Sequence, residues 1–236
     1  MHLFLPNLPV DFTYTMGVPI YLYHFIELLC TALAILNYRH LARHRIGWLL
    51  PFLFFITGAE YVAILQRNVY HTSTYGTNYL IMVVEWLFYN FLFHRFAQHT
   101  AYTRYLRVGV PLVVGCIAIG YFFFPNQYQV FFYCIILVGF FLSVSALFYM
   151  YLRFVGDERT DLTEDPVGWV AVGVVVFFSG VSIVFSLYEF IRSRQINLWG
   201  EPIYTLVPRL LSIFLYSCIS IAIITCRKNT PSLSAS

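Results

Sequence analysis

The stretch NYLIMVVEWLFYNFLF, Asn78 to Phe93, decides the fold. Thirteen of its sixteen residues are apolar or aromatic, and a single acid, Glu85, stands in the middle. The chain around it has the same character. Of 236 residues, 60% are apolar, 20% aromatic and only 11% charged, where a soluble domain carries about 25% charged residues. This inventory cannot cover a water-facing surface, and it defines an all-α integral membrane protein whose partner is the lipid bilayer. The net charge of +3 comes without a basic, aromatic-interleaved patch, so nucleic acid is not an expected partner.

Crossing a hydrocarbon core of about 30 Å takes about 20 apolar residues. Seven segments meet that length: Met16–Tyr38, Ile46–Gln66, Tyr75–Ala97, Tyr105–Phe124, Tyr128–Phe154, Pro166–Ile191 and Ile203–Cys226. The joints between them carry turn chemistry, as in FPNQ and VGDERTDLTEDP. The expectation is a seven-transmembrane-helix bundle over 1–226, forming one domain, with a disordered tail over 227–236. The N-terminus has neither a basic n-region nor a small-residue cleavage site, so the first helix is expected to be retained as its own insertion signal.

Lys and Arg distribution sets the expected orientation. Ten lie on one side: Arg39, Arg43, Arg45, Arg95, Arg104, Arg107, Arg153, Arg159, Arg227 and Lys228. Three, Arg67, Arg192 and Arg194, lie on the other. This predicts an outside N-terminus and a cytoplasmic C-terminus, in the bacterial inner membrane.

Six ionisable residues fall within the spans: His24, Glu27, Glu60, Glu85, Glu189 and Arg209. Each costs about 2.5–3.5 kcal/mol at mid-membrane on insertion scales. That load is best explained if the side chains meet. Residues three, four or seven apart share a helix face. The spacing gives His24–Glu27–Thr31, Thr57–Glu60, Asn78–Glu85–Tyr89, Ser179–Ser182–Ser186–Glu189 and Thr205–Arg209–Ser212–Tyr216. At about 1.5 Å per residue, all six ionisable groups lie in the outer half of the membrane or near its middle. The sequence therefore predicts an outward-facing polar pocket among spans 1, 2, 3, 6 and 7, with spans 4 and 5 packed outside it. Its expected ligand-binding residues are His24, Glu27, Glu60, Glu85, Tyr89, Glu189 and Arg209. Arg209 is expected to pair with one or two of the glutamates. The surplus acidity points to a small cationic or hydrogen-bond-donating ligand, or to protons shared among the carboxylates.

Metal ligation by His24 and Glu27, three apart and faced by Glu60 and Glu85, is a narrower possibility. His40 and His44 form an HxxxH pair, while His94 and His99 are five apart and would not share a helix face. Both pairs read as headgroup-zone side chains. The five cysteines lie in apolar runs without a CxxC and read as free thiols. The only lysine, Lys228, follows the last span, which excludes a retinal Schiff base, and no GxSxG elbow occurs. No cofactor is implied.

Three segments, NYLIMVVEWLFYNFLF at 78–93, PVGWVAVGVVVFFSG at 166–180 and LVPRLLSIFLYSCISIAI at 206–223, resemble in that order a group of small uncharacterised bacterial seven-helix proteins. Similar modules form the membrane part of sensor histidine kinases. Glu85 and Trp169 carry the match. The resemblance implies a receptor-like, signalling role and adds no chemistry. With no soluble output domain after the last span, such a protein is expected to act through a separate cytoplasmic signalling partner. The competing expectations are a proton- or cation-coupled transporter, or a component of one, and a metal-assisted intramembrane enzyme.

Overall fold

The computed structural model describes residues 18–97, 100–124, 128–155 and 164–228. The first 17 residues, His99, Arg159 with most of the acidic loop, and the tail past Lys228 lie outside the described residues. Nearly everything described is helical: α1 (Val18–Leu36), α2 (Tyr38–Arg43), α3 (Leu49–Asn68), α4 (Tyr75–Ala97), α5 (Thr100–Phe123), α6 (Tyr128–Val155), α7 (Pro166–Ser186), α8 (Tyr188–Ser193) and α9 (Ile203–Lys228). A two-stranded hairpin, β1 (Asn197–Leu198) and β2 (Glu201–Pro202), precedes α9. Six of these helices, α3 to α7 and α9, are long and apolar enough to cross a bilayer. The first, α1, is a 19-residue apolar helix. The chain is thus an all-α, multi-pass membrane bundle, because helices satisfy their own amides where lipid offers no partner.

The packing order revolves around α7. Half of its span is buried, against 22–33% for the other five long helices. It packs most extensively against α9 on one side and α6 on the other. Small residues make this possible, since a missing side chain lets helix backbones approach closely. A Cβ on Gly139 of α6 would run into Ser182 and the Phe178 carbonyl of α7. One on Gly173 would press on Leu215 and Cys218 of α9, and one on Gly180 on Leu211. From this centre the bundle closes through α9–α1, α1–α3, α3–α4 and α4–α6 contacts. Span 5 of the sequence reading, α6, contributes no side chain to the acid cluster described below, yet it packs at the centre of the bundle. Its largely apolar face is what α7 and α4 pack against. Span 4, α5, is the peripheral one and lies against α4 and α6.

Two buried polar assemblies hold the helices in register. Asn90 of α4 donates to the Trp86 carbonyl at 2.8 Å and accepts from Ser145 of α6 at 2.8 Å. Tyr105 of α5 donates to the Phe141 carbonyl of α6 at 3.0 Å and lies 3.4 Å from the Ser145 hydroxyl. At the start of α7, Asp165 caps the helix by accepting from the Val167 amide at 3.0 Å, and Pro166 follows at the first helical position. The other Asp165 oxygen accepts from Tyr149 at 2.6 Å and from Arg153 at 3.1 Å, both on α6. One carboxylate thus ends one helix and clamps the next.

Asp165→Ala is expected to destabilise the bundle by about 2–4 kcal/mol, from a lost cap of about 1 and a buried Tyr149 hydroxyl left unpaired at about 1–3. The check is the unfolding midpoint in detergent, where Asp165→Asn, which keeps the cap and loses the charge, should fall between mutant and parent.

Candidate functional site

The acids of the first three long helices converge. Glu27 is the tenth residue of α1, Glu60 the twelfth of α3 and Glu85 the eleventh of α4, so each stands near the middle of its helix. His24 Nδ1 lies 3.5 Å from Glu27 Oε2. One ligating atom each from His24, Glu27 and Glu60 falls within 4.8 Å of the others. The Tyr23 hydroxyl donates to Glu60 Oε2 in a short hydrogen bond. Glu85 is half-buried and lies within electrostatic reach of Glu60, Tyr23, Tyr89 and Tyr216. The Tyr23 and Tyr216 rings are 6.2 Å apart, which brings α9 to the same place.

Each side chain arrives there by simple helix geometry. Tyr23 and Glu27 are four apart on α1, and Thr31, one turn further, donates to the Glu27 carbonyl at 3.1 Å. Thr31 also meets Thr57 of α3 at 3.4 Å, one turn before Glu60. The polar stripes of α1 and α3 therefore face each other. Beyond the threonines the site is closed by aromatic packing. Phe52 of α3 stacks on Phe88 of α4 at 3.8 Å, and Tyr89 packs edge-on to Phe52 at 5.4 Å. Tyr89 is fully buried, wedged between that stack and Phe178 of α7.

The electrostatics are unbalanced. Glu27 is 1% exposed, and neither of its oxygens has a hydrogen-bond partner. The Nδ1 atom of His24 is likewise buried without one. Beside Glu27 stand the His24 ring, at 3.5 Å, and two further acids, so the negative charge is under-compensated in a low-dielectric interior. Such a group is suited to hold a cation or a proton.

Two of the residues expected here stand elsewhere. Arg209 is bonded to Glu201 at 2.5 Å, a carboxylate that the sequence reading left in a joint. The hairpin explains the pairing. Trp199 and Gly200 form its two-residue turn with φ of 54° and 81°, the left-handed pair a tight hairpin requires, and β2 then delivers Glu201 to the start of α9. Glu189 is exposed and sits on α8, because α7 ends at Ser186. Two serines of its expected stripe are used locally, Ser179 donating to the Val175 carbonyl and Ser186 to that of Ser182. The structure thus brings His24, Glu27, Glu60, Glu85 and Tyr89 into one region and Arg209 into a separate ion pair. Tyr23 escaped the sequence reading because an aromatic in an apolar span attracts no notice. Its spacing of four from Glu27 was the available signal.

No protein-family model, curated protein or solved structure matches the chain. What fold and site define is a class: a multi-pass helical membrane protein with an acid–histidine–tyrosine cluster gathered at mid-helix depth around the buried Glu27.

Glu27→Gln is expected to leave the purified, ligand-free protein as stable as the parent or up to about 2 kcal/mol more so, since it removes a buried charge that accepts no hydrogen bond. Thermal unfolding in detergent checks this. A marked loss of stability would mean that the Glu27 carboxylate is a structural partner.

Proposed function

We propose that the protein is a receptor-like, sensory membrane protein that takes a small cationic or hydrogen-bond-donating ligand at the Glu27–Glu60–Glu85 cluster. The observation that carries this reading is the Glu27 carboxylate, buried with no hydrogen bond to either oxygen, with the His24 ring at 3.5 Å and other acids beside it. Intramembrane acids without a structural partner point to function. The ligand supplies the missing positive charge, and Tyr216 links its arrival to α9. The Arg-rich loops and the end of α9 are the surfaces on which a separate cytoplasmic signalling partner would read the change. This reading includes α1 as a seventh span, an outside N-terminus and a cytoplasmic C-terminus, supported by the ten-to-three split of Arg and Lys among the joints.

Small amines, amidines and quaternary ammonium compounds are the class to screen by thermal shift on the detergent-purified protein. Binders should raise the midpoint of the parent and leave Glu27→Gln unmoved. If no compound of the class acts in a Glu27-dependent way, the cationic-ligand reading falls. Reporter fusions after Lys228 and within the α3–α4 joint test the orientation, with cytoplasmic signal expected from the first and exoplasmic signal from the second.

A second reading, a proton- or cation-coupled transporter, is favoured by the depth of the acids. Coupling sites of transporters lie near the bilayer midplane. It requires cation-dependent uptake in proteoliposomes that Glu85→Gln abolishes.

A further inference from the structure

We propose that His24, Glu27 and Glu60 form a binding site for one divalent transition-metal ion of the zinc class. This deepens the cationic-ligand reading above and rests on it. The three side chains come from two helices, with His24 and Glu27 on α1 and Glu60 on α3, and offer three ligating atoms within 4.8 Å of one another. Tetrahedral zinc with bonds of about 2.0–2.2 Å sets its ligand atoms about 3.4 Å apart. The His24 Nδ1 to Glu27 Oε2 separation of 3.5 Å already matches that edge. Glu60 has only to swing inward by about an ångström, within the reach of a side-chain rotation.

The chemistry of the donors narrows the ion. Calcium takes six to eight oxygens and magnesium a hydrated octahedron, and neither suits an imidazole nitrogen. One nitrogen and two carboxylates suit zinc and its imidazole-binding neighbours. Charge fits as well. Two carboxylates and a dication sum to zero, the arrangement a low-dielectric interior tolerates best. Two of the atoms such an ion would engage, Glu27 Oε2 and His24 Nδ1, are buried without a hydrogen-bond partner. The second shell is in place too. The Tyr23 hydroxyl holds Glu60 Oε2 and so orients the carboxylate, the support that metal ligands generally receive. Three protein ligands leave a fourth position for water or a small molecule, as in metal sites that react or sense.

The test uses the full chain, purified through a tag without histidine, stripped with chelator and re-equilibrated by dialysis against micromolar Zn²⁺. Metal content is read by elemental mass spectrometry, and Co²⁺ is added in a parallel sample for its visible absorption. The expected result is one ion per chain, with the intense absorption of four-coordinate cobalt. Glu27→Gln and His24→Ala should lose it. Tyr23→Phe, which leaves every ligand in place, should weaken binding by about tenfold or more. Glu189→Gln, on α8, should bind as the parent does. Parent protein without stoichiometric metal, or metal retained in folded Glu27→Gln, overturns the proposal. If Zn²⁺ fails while an organic cation still gives a Glu27-dependent thermal shift, the metal site falls and the broader ligand reading stands. If both fail, both fall.

Discussion

Hydrocarbon gives a polar group nothing to bond to, and that constraint places almost every polar side chain of the bundle. Along α9, Ser212, Ser217, Ser220 and Thr225 each return a hydrogen bond to the carbonyl four residues back. Asn90 and Ser145 satisfy each other across α4 and α6. Asp165 is shared among an amide, a phenol and a guanidinium. Where the contact surface is apolar, helix approach is governed by size. The glycines of α6 and α7 accordingly mark where the bundle is tightest.

Against that economy the Glu27 region is an exception. Elsewhere a carboxylate is given donors. Here Glu27 receives none, and Glu60 receives one, from Tyr23. Two helices whose threonines meet at 3.4 Å hold the acids together regardless of their mutual repulsion. The aromatic stack of Phe52 and Phe88 seals the region from one side. Packing energy thus maintains an arrangement that electrostatics alone would disperse, the usual condition of a site held ready for a charge it does not itself supply.

Much of this was legible in the residues. The bounds of α4, Tyr75–Ala97, and the starts of α7 and α9 at Pro166 and Ile203 follow from apolar length and turn residues. The facing of Glu27 with Thr31, and of Glu60 with Thr57, follows from helical period. Helix order around the bundle was not legible, because an all-apolar segment such as α6 gives no directional signal and can serve as centre or rim. Arg209 was misassigned for a related reason. Its partner lies eight residues earlier, in the strand β2 that ends where the helix begins, and helical periodicity does not extend to a residue outside the helix. Asp165 stood in plain view before a proline, but its second role depends on Tyr149 and Arg153 one helix away. The α7 break at Ser186 removed Glu189 from the span without any glycine or proline to announce it.

The Glu201–Arg209 bond has a mechanical corollary. It rivets the hairpin to the head of α9, a rod of 26 residues and about 39 Å. Tyr216 meets the acid cluster halfway along that rod, and Arg227 and Lys228 cap its far tip. The bond also straddles Pro208, whose ring leaves a gap in the amide ladder, and so braces the one proline-weakened turn of that rod.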